Sequence, residues 1–197
     1  MTASTVTRLV FAFACLLAAS TVGAQEKLDT KAKLLAGAKT VMDGMCADHR
    51  EYAKLATSIV MIRLADKSVS LWCSCAPAEM QRLVAGVSEP ISRETALNTF
   101  NQATSICHGK QMRESTNAAC PTDQEALARS ANINAYCTCV KTRLAALTDE
   151  QLYRELDAAY NNEMQESTTS GKTVPGLESF ALRKFGTGCE SAAVSLQ

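Results

Sequence analysis

The sequence predicts an all-α fold: a disulfide-stapled helical bundle built from two similar helical units, after a cleaved signal peptide. Three observations predict it. Apolar residues recur at helical spacing, with almost no alternating runs. Eight of the nine cysteines fall in an order that repeats. Residues 1–24 have the three-part build of an export signal.

The export signal comes first. Arg8 is the only charged residue before Glu26, and an apolar run from Leu9 to Ala19 follows it. Small residues then lead to Val22-Gly23-Ala24, a small-x-small cleavage site placing the mature start at Gln25. The run is shorter than the roughly 20 apolar residues of a membrane span, and no other stretch is a candidate, so no transmembrane anchor is expected in the mature chain. Gln25 in place of a cysteine, and no Leu three positions before Cys15, argue against lipid attachment. Asn-x-Ser/Thr sequons are absent, which fits a bacterial periplasm.

Cleavage removes Cys15 and leaves Cys46, Cys73, Cys75, Cys107, Cys120, Cys137, Cys139 and Cys189. An even count in an exported chain reads as a disulfide framework. The order is single, Cys-x-Cys, single, twice over, which predicts one unit over 25–110 and a second over 111–197. The doublets share flanks: Trp72-Cys73-Ser74-Cys75 against Tyr136-Cys137-Thr138-Cys139. On a helix, residues i and i+2 point about 200° apart, so doublet partners should bond neighbours on either side and not each other. Pairing within each half then leaves Cys46 and Cys107 to share Cys73 and Cys75, and Cys120 and Cys189 to share Cys137 and Cys139.

The elements follow in order. Leu34, Ala38, Val41, Met42 and Met45 mark one helical face, and Tyr52, Leu55, Ile59 and Ile62 another. Pro77 and Pro90 punctuate the first half. Ser92, Thr95, Ala96, Leu97 and Phe100 predict a helix ending at Cys107, with Gly109 beyond it. Cys139, Arg143 and Leu147 run down a further helix until Thr148-Asp149-Glu150-Gln151, a capping box, starts the next. That helix carries Leu152, Leu156, Ala159 and Tyr160. Gln165 to Gly176 reads as a polar loop, and Leu177 to Phe185 as a short last helix stopped by Gly186.

Equal numbers of basic and acidic residues, 20 of each, exclude the basic footprint that nucleic-acid binding requires. Four constellations bear on chemistry. Met42, Met45, Cys46 and His49 sit at i, i+3, i+4 and i+7, a soft ligand face suited to Cu(I). The second unit keeps Cys120 but has no matching methionines, which favours a structural reading. The Cys-x-Cys doublets could serve thiol redox chemistry, but each cysteine has a long-range partner to bond. The histidines, His49 and His108, lie in no catalytic motif, and Asp48 points away from His49 on a helix. Trp72 and Tyr136 read as rings packed on disulfides.

No catalytic residue and no cofactor is therefore expected. The sequence reads as an exported, periplasmic binding protein acting by protein–protein interaction, as an inhibitor, an immunity protein or an envelope-assembly accessory would. Its expected partner is another exported or envelope protein. The alternative is a periplasmic copper-handling or thiol-redox protein using Met42, Met45, Cys46 and His49.

Overall fold

The computed structural model describes residues 30–47, 73–171 and 176–190; 84% of these are helical and none lies in a strand. The all-α, disulfide-stapled expectation holds. The chain divides into two compact units, Met1–Thr104 and Ser105–Gln197. Among the described residues no helix is long and apolar enough to cross a membrane.

In the first unit, α1 (Lys31–Ala47) buries Leu34, Ala38 and Met42, three residues at a spacing of four. The next helix, α2 (73–85), buries Ala76, Met80 and Val84 at the same spacing. The Cys46–Cys73 disulfide joins the end of α1 to the start of α2, with the Cα atoms 5.9 Å apart. At the other end, Lys31 donates through its backbone N–H to Glu89 and through Nζ to the Ala85 carbonyl, 2.8 Å away. Ser92 then caps α3 (Arg93–Ala119) by accepting from the Thr95 N–H at 3.0 Å.

The second unit begins within α3 and adds a 3₁₀ turn, η1 (Cys120–Thr122), and helices α4 (Gln124–Arg129), α5 (Ile133–Ala145), α6 (Asp149–Ser170) and α7 (Leu177–Gly186). Tyr136, Val140 and Leu144 of α5, and Leu152, Leu156 and Tyr160 of α6, are buried. So are Leu177, Phe180, Ala181 and Leu182 of α7. Cys120–Cys137 and Cys139–Cys189 tie α5 to η1 and to the turn after α7, with Cα separations of 5.8 and 5.7 Å. The two cysteines of this doublet bond in different directions, as their helical spacing requires. Cys75 and Cys107 are disulfide-bonded as well, so all eight cysteines from Cys46 to Cys189 are oxidised.

Several expectations need correction. α3 does not stop at Cys107 but continues to Ala119. Gly109 lies inside it, at a close approach: a Cβ there would overlap the Asp149 carbonyl. The core face of α5 is Tyr136, Val140 and Leu144, one register step from Cys139, Arg143 and Leu147. Val41 and Ala159 are only half-buried. Pro77 lies inside α2 and does not punctuate it. The polar segment from Gln165 is helical as far as Ser170; α6 ends at Gly171, whose φ of 67° is left-handed and suits glycine. The Tyr52, Leu55, Ile59 and Ile62 face, residues 1–24 and Trp72 lie outside the described residues.

Candidate functional site

Two members of the Met–Cys–His set, Met42 and Cys46, are committed to the core and to a disulfide. Met42 is 1% exposed, in the core beside Leu34 and Ala38. Cys46 is bonded to Cys73, so its sulfur is no thiolate ligand. Asp48, His49 and the Met45 side chain lie outside the described residues. Among the described residues no three His, Cys, Asp or Glu side chains converge as a metal would need.

Tyr136 is fully buried and donates its hydroxyl to the Leu182 carbonyl at 3.0 Å. Burial, with a smaller contribution from Glu190, pushes its pKa above the ordinary phenol value. Gly186 makes room for this ring: a Cβ there would overlap the hydroxyl. Tyr136 is therefore a core strut.

His108 on α3 stacks against Tyr153 on α6, with ring centroids 5.2 Å apart and planes at 33°. Burial lowers its pKa from 6.5 to about 4. The imidazole is neutral at physiological pH and is not poised as a base, whose pKa belongs near the working pH. On α6, burial also raises the Asp157 pKa, partly opposed by a hydrogen bond from Asn161.

Two arginines that sequence reasoning did not single out organise the second unit. Arg113 reaches the end of α5 and the start of α6: Nε donates to Asp149 Oδ1 at 2.9 Å, Nη2 to the Leu147 carbonyl at 2.9 Å, and Nη1 to the Leu144 carbonyl. Arg143, read at first as part of a helical stripe, donates through Nη1 to the Phe185 carbonyl at 3.1 Å and to the Thr187 carbonyl. Each places a cation at the C-terminal end of a helix, where the helix dipole favours positive charge.

Among the described residues a shallow surface depression of about 390 Å³ lies between α6 and α7. One wall carries Ala159, Asn162, Glu163 and Glu166; the other carries Phe180, Arg183, Lys184 and Thr187. Arg183 pairs through Nη2 with Glu163, and its guanidinium lies 5.5 Å from the Phe180 ring centre. Lys184 Nζ is 3.8 Å from Glu155 and 5.7 Å from the Phe185 ring centre. Its signal in the sequence is the spacing i, i+3, i+4, i+7 on both helices. Reading a loop from Gln165 onward cut α6 short of Glu166 and hid that signal. In comparisons with known proteins, the chain matches no family model, no curated protein and no solved structure.

Proposed function

We propose that this is an exported helical binding protein that acts by protein–protein interaction, with an exported or envelope protein as its partner. An inhibitor, an immunity protein and an assembly accessory all fit that description. The observation that carries the reading is the oxidised framework. All eight cysteines from Cys46 to Cys189 are bonded, and disulfides form and persist in oxidising, exported compartments. In the second unit two bridges and two arginine clamps fix the helix ends, so little freedom is lost when that surface meets a partner. The depression between α6 and α7 carries charged and hydrogen-bonding groups on that fixed frame. The signal at residues 1–24 supplies the route of export.

The copper-handling or thiol-redox alternative is the weaker reading, because the Cys46–Cys73 bond occupies the sulfur it would use.

Two measurements test the proposal. The protein is expressed at native level in its own cells and cross-linked in the intact envelope, and the adducts are identified by mass spectrometry. One dominant, saturable protein adduct is expected; adducts scattered in proportion to abundance would overturn the binding reading. The mature chain is expected to begin at Gln25 with no free thiol. A chain that keeps Met1 and titrates free thiols would overturn the export reading.

A further inference from the structure

We propose that the Cys46–Cys73 bridge is a site of reversible thiol–disulfide exchange with a small external thiol, and so a redox-sensitive fastening of α1 to α2. Such a site goes beyond protein binding and does not depend on it.

Burial separates the bridges. All eight cysteines from Cys46 to Cys189 are oxidised, so an incoming thiolate has several targets. Cys120 is 1% exposed and Cys189 0%, so Cys120–Cys137 and Cys139–Cys189 each hold one residue fully in the core. Cys107, bonded in a further bridge, is 0% exposed too. Cys46 and Cys73 are both only half-buried. Among the described residues theirs is the bridge in which neither cysteine is buried.

The chemistry of exchange selects that bridge. The incoming thiolate gives its electron pair to one bridge sulfur, the bond between the bridge sulfurs breaks, and its pair leaves on the second sulfur. One protein sulfur ends in a mixed disulfide and the other as a thiolate. Return attack by that thiolate on the mixed disulfide restores the bridge and releases the small thiol. At Cys120–Cys137 or Cys139–Cys189, attack on the half-buried residue expels a thiolate inside the core. Apolar surroundings raise a thiol's pKa, which makes it a poor leaving group. Attack on the buried member is closed to solvent. At Cys46–Cys73 either residue is within reach, and the other is released at the edge of the core.

The surroundings suit such a site. Lys39, Asp43 and Cys46 follow i, i+4, i+7 on α1, and Lys39 and Asp43 are exposed and paired with each other. The approach along this stripe is open and its charges balance, so it bars neither an anionic nor a neutral thiol. Opening frees one end of α1 only. At the other end Lys31 still donates to Glu89 and to the Ala85 carbonyl, and Leu34, Ala38 and Met42 lie in the core. Exchange is therefore a local opening and not a loss of the fold.

The test uses the full oxidised protein and reduced glutathione as the thiol, under native conditions. Samples are quenched in time with acid, free thiols are blocked with a maleimide, and the modified positions are mapped by peptide fragmentation. The first product is expected to carry one glutathione and one maleimide, both within the Cys46 and Cys73 pair. That bridge should open at least about tenfold faster than any other, because access and the leaving thiolate both favour it. In the glutathione adduct the amide shifts of residues 124–170 should stay where they are in the oxidised protein. A first adduct on Cys75, Cys107, Cys120, Cys137, Cys139 or Cys189 would overturn the proposal. So would opening of all bridges at one common rate, or loss of the 124–170 shifts in the singly opened protein, since either means global unfolding. None of these outcomes bears on whether the protein binds an envelope partner, which the cross-linking experiment decides separately.

Discussion

Arg113 and Tyr136 show how single side chains set the second unit. Arg113 satisfies two carbonyls at the end of α5 and the Asp149 carboxylate with one guanidinium fork. Arg113→Met keeps the aliphatic stem and takes the guanidinium from the Leu147 carbonyl and the Asp149 carboxylate, while the Leu144 carbonyl keeps the Leu147 N–H. It is expected to cost about 2 kcal/mol, read as a lower urea midpoint at unchanged slope. At Gly186 the limit is steric. Gly186→Ala forces a methyl group into the Tyr136 hydroxyl and should cost about 2 kcal/mol. Tyr136→Ala in the same chain removes the ring and with it the obstructing atoms, so the double variant should be less destabilised than the two single changes summed. Additive losses would show that the overlap is relieved in another way. His108 sets the acid limit. Its folded pKa, about 4, lies below the unfolded value of 6.5, so the unfolded chain takes up the proton first. Stability from this group is complete above about pH 6.5 and falls as the pH drops towards 4, by about 3 kcal/mol at most. The urea midpoint of the native protein should therefore fall relative to that of His108→Leu on acidification between those limits; parallel curves would refute the assignment.

At the scale of elements, the start of α6 is the plainest case of local chemistry fixing a boundary. Thr148 accepts from the Gln151 N–H at 3.2 Å while the Gln151 side chain accepts from the Thr148 N–H at 2.9 Å. Thr148→Ala should cost about 1 kcal/mol, measured by thermal or urea unfolding, and Thr148→Ser should recover most of it. This box was legible in the sequence because both of its halves lie within four residues. So was the opposed bonding of the doublet cysteines, since the angle between i and i+2 is a property of any α-helix. The core face of α5 was not. Its cysteines flank the buried stripe and bond to buried partners on either side of it, so a pattern drawn through Cys139 lands one residue off Val140. The length of α3 was hidden for a different reason: Gly109 serves a close approach by Asp149, and that packing depends on a residue forty positions away in the chain. The tail of α6 looked like a loop because it is polar, yet Gln and Glu favour helix. There the Thr169 hydroxyl bonds back to the Glu166 carbonyl at 2.8 Å without breaking the helix. The depression between α6 and α7 needed both helices at full length, so it could not be read before the end of α6 was known.

At the scale of the whole molecule, the disulfides decide whether the chain stays folded. The three bridges Cys46–Cys73, Cys120–Cys137 and Cys139–Cys189 span 27, 17 and 50 residues. Closing loops of those lengths in the unfolded chain is worth about 3–4 kcal/mol each in the chain-entropy account. Their sum is about 10 kcal/mol, comparable with the entire net stability of an ordinary domain. The core offers little surplus against that loss. Several of its buried positions are alanines, among them Ala38, Ala76, Ala96, Ala103, Ala126 and Ala181, which bring helices close but remove little apolar surface from water. Full reduction is therefore expected to abolish cooperative unfolding near 37 °C. The oxidised protein should melt in a sharp far-ultraviolet transition, whereas the reduced and alkylated chain should lose helical signal gradually from low temperature. Replacing Cys139 and Cys189 with alanine opens the longest of these loops and should be the most damaging of the three paired deletions. A reduced chain that melts within a few degrees of the oxidised one would move the source of stability from the bridges to the core. The rigid frame on which the binding reading depends would then have to come from packing alone.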